Sequence, residues 1–266
     1  MTIREWIRER EIRGMTMFSL EALKKAFPSL SQQAMNNALS RLKKAGVIYS
    51  PYSSFYVALP PQYALRGAVP PYYFMNALMQ EQKREYYFGL LSAAALWGVG
   101  HQRSQVDYVI TTPPRLSRSE TSKRRIKWVY KDAIPRQHLR EKNGEAGPVI
   151  YSDAELTALD LVQYEHLVGG LSVAATVLAE LLEATDFRNA AAGLFASCPS
   201  ASIQRLGYIV EHVLGDCRQG EVIFSEWRKL HATCHYVPLS PRAAVDGNRD
   251  ERWRIIVNTE IEADET

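Results

Sequence analysis

Eight polar side chains in one short segment combine hydrogen-bonding groups suited to bases with cations suited to phosphates. The amides come first, and Gln and Asn amides can form two hydrogen bonds to the edge of an adenine in the major groove. The cations come towards the other end, where phosphate oxygens are the more natural target. The candidate DNA-contacting residues are Gln32, Gln33, Asn36, Asn37, Ser40, Arg41, Lys43 and Lys44.

These side chains can reach one groove together only if a helix carries them. The spacing of apolar residues predicts such a helix over 32–45, with a buried stripe made of Met35, Ala38, Leu39 and Leu42. Ser29 or Ser31 would cap its start, and Gly46 would end it. A solvated helix would also present a polar face. Because Asn and Ser are poor helix formers, their presence on that face favours a binding surface.

The elements around this helix predict a winged helix-turn-helix domain over residues 1–62. Two further helices are expected, one over 2–13 and one that starts near Ser19. A hairpin is expected after the third helix, with short strands at 47–49 and 55–59 around a Pro/Ser turn.

The predicted hairpin is a candidate wing. Its turn carries Tyr52, which could reach the DNA backbone or the minor groove. No Arg or Lys stands in the turn, and an ordinary hairpin with paired aromatic side chains explains the same residues equally well. The wing is therefore a weaker candidate than the helix.

A basic run in the following region could extend a DNA-contacting surface, and a solvated loop would explain it as well. The run comprises Arg115, Arg118, Lys123, Arg124 and Arg125, with Lys127 just beyond. Charge is also divided along the chain, with a net of +12 over residues 1–146 and −9 over 147–266. A basic region attracts a polyanion, so this division favours nucleic-acid binding by the first part of the chain.

Length and composition place the chain among globular proteins. It has 266 residues, of which 46% are hydrophobic and 23% charged, and this excludes disordered, collagen-like and coiled-coil chains. The longest apolar run, 88–99, is far shorter than the ~20 residues that cross a bilayer, so no membrane partner is expected. The start of the chain lacks the apolar core of a signal peptide, and a cytoplasmic location is expected.

The remainder of the chain, 63–266, is predicted to form a C-terminal mixed α/β domain with several helices, which makes the whole chain α+β. A segment rich in Pro, 60–72, reads as a linker. Helices are expected over 74–82, 85–98, 153–164, 171–182, 186–195, 203–214 and 222–230. Strands are expected at 106–111, 125–130, 149–151 and 253–257.

Catalytic and metal-binding motifs are not found, so no enzyme activity, cofactor or metal is expected. The phosphate-binding loop, dinucleotide fingerprint, nucleophile elbow and H-E-x-x-H are all missing. His231, Cys234 and His235 lie close in sequence, but no other ligand cluster accompanies them. A nuclease would need an acidic residue such as Asp107 and, on the next strand, a carboxylate two positions from a lysine. The next predicted strand contains Lys127 but has no carboxylate beside it.

With these residues in place, most of the chain resembles the AbiEi family of antitoxins from type IV toxin–antitoxin, or abortive-infection, systems. The most specific motif is the run Y-Y-F-G-L-L-S-A-A-A-L-W-G at 86–98, followed by His101 and Gln102. Weaker points of resemblance are the winged helix, the segment 155–161, and the motifs Gly169-Gly170, Arg205-Leu206-Gly207-Tyr208 and Arg252-Trp253. The turn differs from the more usual Arg-Gly tip, since it reads Tyr52-Ser53-Ser54.

The resemblance implies a DNA-binding repressor of its own operon, with double-stranded DNA of the operator, expected to contain inverted repeats, as one partner. It also implies a nucleotidyltransferase toxin as the second, functional partner. The C-terminal domain would neutralise that toxin, commonly without a stable complex. Two alternatives remain from the residues themselves: a winged helix joined to a nuclease, or an acidic second domain that docks a basic protein.

Overall fold

The structure is a computed structural model and describes residues 1–100, 105–116, 125–231 and 233–263, with the backbone alone at 125 and 189–192. The chain divides into two compact units. The first unit comprises Met1–Tyr87, Gln105–Ile134 and Glu141–Ile150. The second comprises Phe88–Ser104, Pro135–Arg140 and Tyr151–Thr266. The fold is α+β, as predicted.

The first unit begins with three helices and three strands, in the order α1 (Ile3–Ile12), β1 (Met17–Ser19), α2 (Leu20–Ala26), α3 (Gln32–Lys44), β2 (Ile48–Tyr52) and β3 (Phe55–Ala58). Hydroxyl side chains start all three helices, because each accepts a hydrogen bond from an otherwise unpaired backbone N–H. The capping residues are Thr2, Ser19 and Ser31. The strands form an antiparallel sheet in the order β1-β3-β2.

A single apolar core joins these elements. It is built from the buried stripes of the three helices and from the inner side chains of the sheet, namely Ile3, Ile7, Phe18, Leu23, Met35, Leu39, Ile48, Tyr56 and Ala58. Strand β1 was not predicted from the sequence. It is three residues long and is held by pairing with β3, where Met17 lies opposite Val57.

The first unit continues with α4 (Pro71–Glu81) and most of a five-stranded sheet in the order β6-β5-β4-β8-β7. The strands are β4 (Tyr86–Phe88), β5 (Val106–Thr111), β6 (Arg125–Tyr130), β7 (Leu139–Gly144) and β8 (Gly147–Ser152). Strands β5 and β6 are parallel, with Val106 opposite Arg125. The predicted strands at 106–111, 125–130 and 149–151 are confirmed.

The helix predicted over 85–98 is wrong in its first part. Residues Tyr86–Phe88 form β4, which pairs in parallel with β8, and a shorter helix α5 (Leu90–Leu96) follows. The break falls at Leu90, whose φ of 54° lies in the left-handed region that an L-residue rarely adopts. A continuous helix cannot pass through this conformation.

The second unit is mainly helical, as the sequence predicted. Its helices are α6 (Ala154–Gln163), α7 (Glu165–Val168), α8 (Leu171–Leu181), α9 (Phe187–Ala196), α10 (Ser200–Tyr208) and α11 (Cys217–Leu230). Helix α10 continues into a π-helical turn, Ile209–Val213. A small sheet follows, with β10 (Asn248–Asp250) antiparallel to β11 (Ile255–Val257) and β9 (Val237–Pro238) parallel to it. Within the described ranges, no helix has the length and apolar character that crossing a bilayer requires.

Candidate nucleic-acid interface

Helix α3 is held by a cap at its start and by two buried side chains along one stripe. The hydroxyl of Ser31 accepts a hydrogen bond from the backbone N–H of Ala34, with an O–N distance of 3.2 Å. Met35 and Leu39 are 3% and 2% exposed, so the orientation of the helix about its axis is fixed by the core. The opposite face must therefore point to solvent.

The opposite face consists of the eight polar residues that the sequence singled out. All eight are exposed: Gln32, Gln33, Asn36, Asn37, Ser40, Arg41, Lys43 and Lys44. Within the part of the chain that the structure describes, only the first and third of these are hydrogen-bonded to each other. Gln32 Nε2 donates to Asn36 Oδ1 at 3.0 Å. The other six side chains keep their donors and acceptors available to a ligand.

The C-terminal turn of α3 concentrates positive charge. Arg41, Lys43 and Lys44 all lie in this turn, where cations are also favoured by the helix dipole. Among the described residues, no carboxylate forms an ion pair with any of the three. Their charges are thus not offset by a close partner and can act on an external anion.

The hairpin β2–β3 is buried on both faces, which the sequence did not predict. Tyr49, Tyr52 and Tyr56 are 7%, 8% and 8% exposed, so their rings pack inside the first unit. Burial raises the pKa of the Tyr56 hydroxyl. The turn expected over 50–54 is shorter in the structure, since only Ser53 and Ser54 lie between the strands. These two serines are exposed, and they are what the tip of the hairpin offers to a ligand.

The basic run predicted between strands β5 and β6 is described in part. Arg115 is exposed, and its guanidinium carbon lies 6.0 Å from the centre of the Tyr130 ring. Lys127 is also exposed, with its ammonium 5.4 Å from the centre of the Tyr108 ring. Arg125 is the first residue of β6. Arg118, Lys123 and Arg124 lie outside the described residues.

Helix α2 supplies a candidate residue that the sequence argument did not name. Lys24 lies in the last turn of α2 and is exposed. Its neighbour Lys25 pairs with Glu21 at 2.8 Å. In helix-turn-helix proteins, the helix before the recognition helix crosses the DNA backbone. The sequence signal that could have identified Lys24 is its position on the polar side of the second predicted helix.

The two units carry opposite net charge. Counting Lys, Arg, Asp and Glu, the first unit has a net charge of +9 and the second a net charge of −6. Phosphate neutralisation dominates non-specific binding to nucleic acids. A polyanion is therefore attracted to the first unit and not to the second.

A tryptophan network fixes the second unit. The ring of Trp253 is fully buried, lies against the ring of Trp227 at 5.9 Å between centres, and packs on Gly207, which has no side chain to obstruct it. The indole N–H of Trp253 donates to Glu211 Oε2 at 2.8 Å. Arg252 Nε donates to the same oxygen at 2.9 Å. The motif around Gly207 and the motif Arg252-Trp253 are distant in sequence, but in the structure they belong to one cluster.

A buried polar cluster starts helix α6. Asp153 Oδ1 accepts from the backbone N–H of Leu156 at 2.9 Å, and Asp153 Oδ2 lies 2.8 Å from His138 Nδ1. The hydroxyls of Ser152 and Thr157 are 2.6 Å apart and fully buried. Every group in this cluster has a partner, which is the arrangement of a helix cap inside a core.

The residues weighed for metal binding or nuclease chemistry do not form such sites in the described ranges. Helix α11 ends at Leu230, so His231 and His235 do not share a helical face. No group of three or more His, Cys, Asp or Glu side chains is placed to hold a metal ion. Asp107 is 2% exposed and lies opposite Ile126 on the parallel strand β6. Lys127, the next residue on β6, lies opposite the residue that follows Asp107 on β5.

These features define an α+β protein of two units, the first with an exposed polar and basic helix. Residues 87–212 match the family model of the AbiEi antitoxin C-terminal domain. The match confirms the resemblance to the AbiEi antitoxins, and this domain supports a role as the antitoxin of a toxin–antitoxin system.

The whole fold is similar to the crystal structure of the RV2827C protein from Mycobacterium tuberculosis. The TM-score is 0.65 at 14% sequence identity, and the similarity covers 94% of this chain and 90% of that chain. At this identity, the likeness concerns the fold. No curated protein sequence is significantly similar to the chain.

Proposed function

We propose that the protein is a DNA-binding transcriptional autorepressor and the antitoxin of a type IV toxin–antitoxin system. The elements α1, β1, α2, α3, β2 and β3 would act as a winged helix-turn-helix, with α3 in the major groove. The observation that carries the DNA-binding part is the face of α3, where all eight candidate side chains are exposed.

The chemistry of the face divides the contacts between bases and phosphates. The amides of Gln32, Gln33, Asn36 and Asn37 would read bases, since they offer both donors and acceptors. Ser40 and the three cations that follow would hold phosphates. The net charge of +9 on the first unit supports a wider footprint, to which Arg115, Lys127 and Lys24 would contribute.

A titration of duplex DNA tests this proposal. The wild-type protein is titrated into a fluorescent duplex from the region upstream of its own gene and, in parallel, into a scrambled duplex of equal length. The Gln33→Ala/Asn37→Ala variant is the test, and Gln62→Ala/Gln80→Ala is the matched control, because both control glutamines are exposed and lie off α3.

Tight binding to the upstream duplex is expected, with at least a tenfold loss in the α3 variant and no loss in the control. The magnitude follows from about 1–3 kcal/mol of discrimination for each good amide–base contact. Equal, weak binding of wild type and variant to both duplexes would refute sequence readout by α3.

The antitoxin part of the proposal concerns the nucleotidyltransferase encoded beside the gene. Co-expression of this chain from an independent promoter should restore growth of cells that produce the toxin. Because the second unit would carry neutralisation, the Gln33→Ala/Asn37→Ala variant should restore growth as well as the wild type does. Failure of the Gln33→Ala/Asn37→Ala variant to restore growth would contradict this division of labour.

A protein-docking role is the second candidate, and the net charge of −6 on the second unit favours it. An acidic surface attracts a basic partner and accelerates association. Sedimentation of the purified protein mixed with the toxin distinguishes the two ideas. A single co-sedimenting species would favour docking, whereas growth rescue with two independent species would favour neutralisation without a stable complex.

A further inference from the structure

Helix α3 contains two Gln–Asn pairs with identical spacing and different bonding. Gln32 and Asn36 are four residues apart, and so are Gln33 and Asn37. In the first pair, Gln32 Nε2 donates to Asn36 Oδ1 at 3.0 Å. The second pair forms no hydrogen bond within the part of the chain that the structure describes. All four side chains are exposed, so burial does not account for the difference.

The bond leaves Asn36 able to recognise an adenine. It uses one hydrogen of the Gln32 amide and one lone pair of Asn36 Oδ1. Asn36 keeps both hydrogens of Nδ2 and the second lone pair of Oδ1. An adenine edge needs one donor for N7 and one acceptor for N6–H, and both remain.

The bond also fixes the direction in which these groups point. A free Asn amide rotates about its terminal torsion, which has broad minima. With Oδ1 held by Gln32, the plane of the Asn36 amide is set before DNA arrives. In an interface from which water is excluded, the bond becomes stronger, since the local dielectric constant is lower.

We propose that Gln32 is a positioning residue that orients the amide of Asn36 towards an adenine, so that the two residues act as one unit. This role through Asn36 takes the place of a base contact made by Gln32 itself. Gln33 and Asn37 act independently of each other. This inference rests on the proposed function, and it identifies Asn36 as the residue that selects adenine at one operator position.

Two matched double-mutant cycles measure the coupling. The first uses Gln32→Met, Asn36→Ala and the double variant, and the second uses Gln33→Met, Asn37→Ala and their double variant. Met has nearly the length of Gln but no N–H to donate, and both Met and Ala are good helix formers. Affinity for the upstream duplex is the measurement.

In the first cycle, the double variant should bind at least threefold more tightly than the product of the two single losses predicts. Once Asn36 is gone, the loss of Gln32 has little further effect. In the second cycle, the loss of affinity in the double variant should equal the product of the two single losses within twofold.

A panel of duplexes, each with one operator base pair substituted, separates positioning from a general structural role. Gln32→Met should reduce discrimination at the same position as Asn36→Ala, because Gln32 acts through Asn36. A structural role would weaken binding to every duplex alike. Circular dichroism confirms that the variants keep their helix.

The outcomes are distinct for the inference and for the function on which it rests. Additive losses in both cycles, or loss of discrimination at different positions for the two residues, would overturn the inference and leave DNA recognition intact. A wild-type protein that does not prefer the upstream duplex would overturn the proposed function and the inference together.

Discussion

Replacement of Gly207 by Ala should destabilise the second unit, because the new methyl group has no space. A Cβ at this position would lie 2.0 Å from Cζ3 and 2.1 Å from Cη2 of Trp253. Ordinary contacts begin near 3.4 Å, so the ring would have to move by about 1.4 Å. Its neighbours prevent this, since the fully buried ring also contacts Trp227 and the edge of Phe224.

The expected cost combines strain with a lost hydrogen bond. Overpacking of a filled core costs about 1–3 kcal/mol. Displacement of the indole from Glu211 Oε2, which it contacts at 2.8 Å, adds about 1–3 kcal/mol. The gain in helix propensity from Gly to Ala offsets about 1 kcal/mol. The free energy of unfolding should therefore fall by about 1–5 kcal/mol.

Urea unfolding followed by tryptophan fluorescence measures this change, and Gly193→Ala is the control. Gly193 also lies inside a helix, α9, but it is exposed, and its nearest neighbour in space would be 3.8 Å away. The control should be as stable as the wild type or more stable by up to about 1 kcal/mol. Equal stability of the two variants would refute the packing argument for Gly207.

Three further predictions follow from the same structure. Lys43→Ala should reduce the slope of log affinity for the upstream duplex against log salt concentration by about one unit. The control is Lys142→Ala, since Lys142 is an exposed lysine on β7, and it should leave the slope unchanged. An unaltered slope in Lys43→Ala would exclude Lys43 from the DNA footprint. Leu39→Ala should lower the free energy of unfolding by about 2–5 kcal/mol, since Leu39 is 2% exposed in the core beneath the polar face of α3; thermal unfolding at wild-type temperature would contradict its burial. Arg188→Ala should raise the pKa of Asp186 towards its ordinary value, because the hydrogen bond from Arg188 lowers it. Since this pKa is lowered in the folded protein, the contact stabilises the fold at pH values above the ordinary pKa, and the stabilisation is lost in acid. An unchanged titration of Asp186 by NMR would disprove the contact.

The exposed polar face of α3 could be predicted because it depends on contacts within one helix. The apolar residues of α3 repeat with the helical period, and Met35 and Leu39 are buried as that period requires. Once the buried side is known, the exposed side follows. The cap at Ser31 is likewise a local feature, formed with a backbone group three residues away.

Strand β4 could not be predicted in this way, because its partner is distant in the sequence. Tyr86–Phe88 are fully or almost fully buried, so they show no alternation between polar and apolar residues. Their strand conformation depends on pairing with β8, where Phe88 lies opposite Tyr151. A short apolar run without periodicity is ambiguous between helix and strand.

The tryptophan network shows the same limit for side chains. Glu211 meets the indole of Trp253 and the guanidinium of Arg252, more than 40 positions further along the chain. The motifs around Gly207 and Trp253 could be noticed separately, but nothing in either one states that they touch. Their contact explains the glycine in physical terms, since any side chain there would occupy the place of the ring.

The opposite net charges of the two units together determine how strongly the proposed repressor is attracted to DNA. DNA attracts the first unit, with its net charge of +9, and repels the second, with its net charge of −6. Affinity for random DNA is then lower than the basic unit by itself would have, because the long-range charges partly cancel. Contacts to base edges act at short range and are hardly affected by this cancellation. The long-range charge term enters specific and non-specific binding alike, so the ratio between the two, on which operator selection depends, is set by the contacts that α3 would make to base edges.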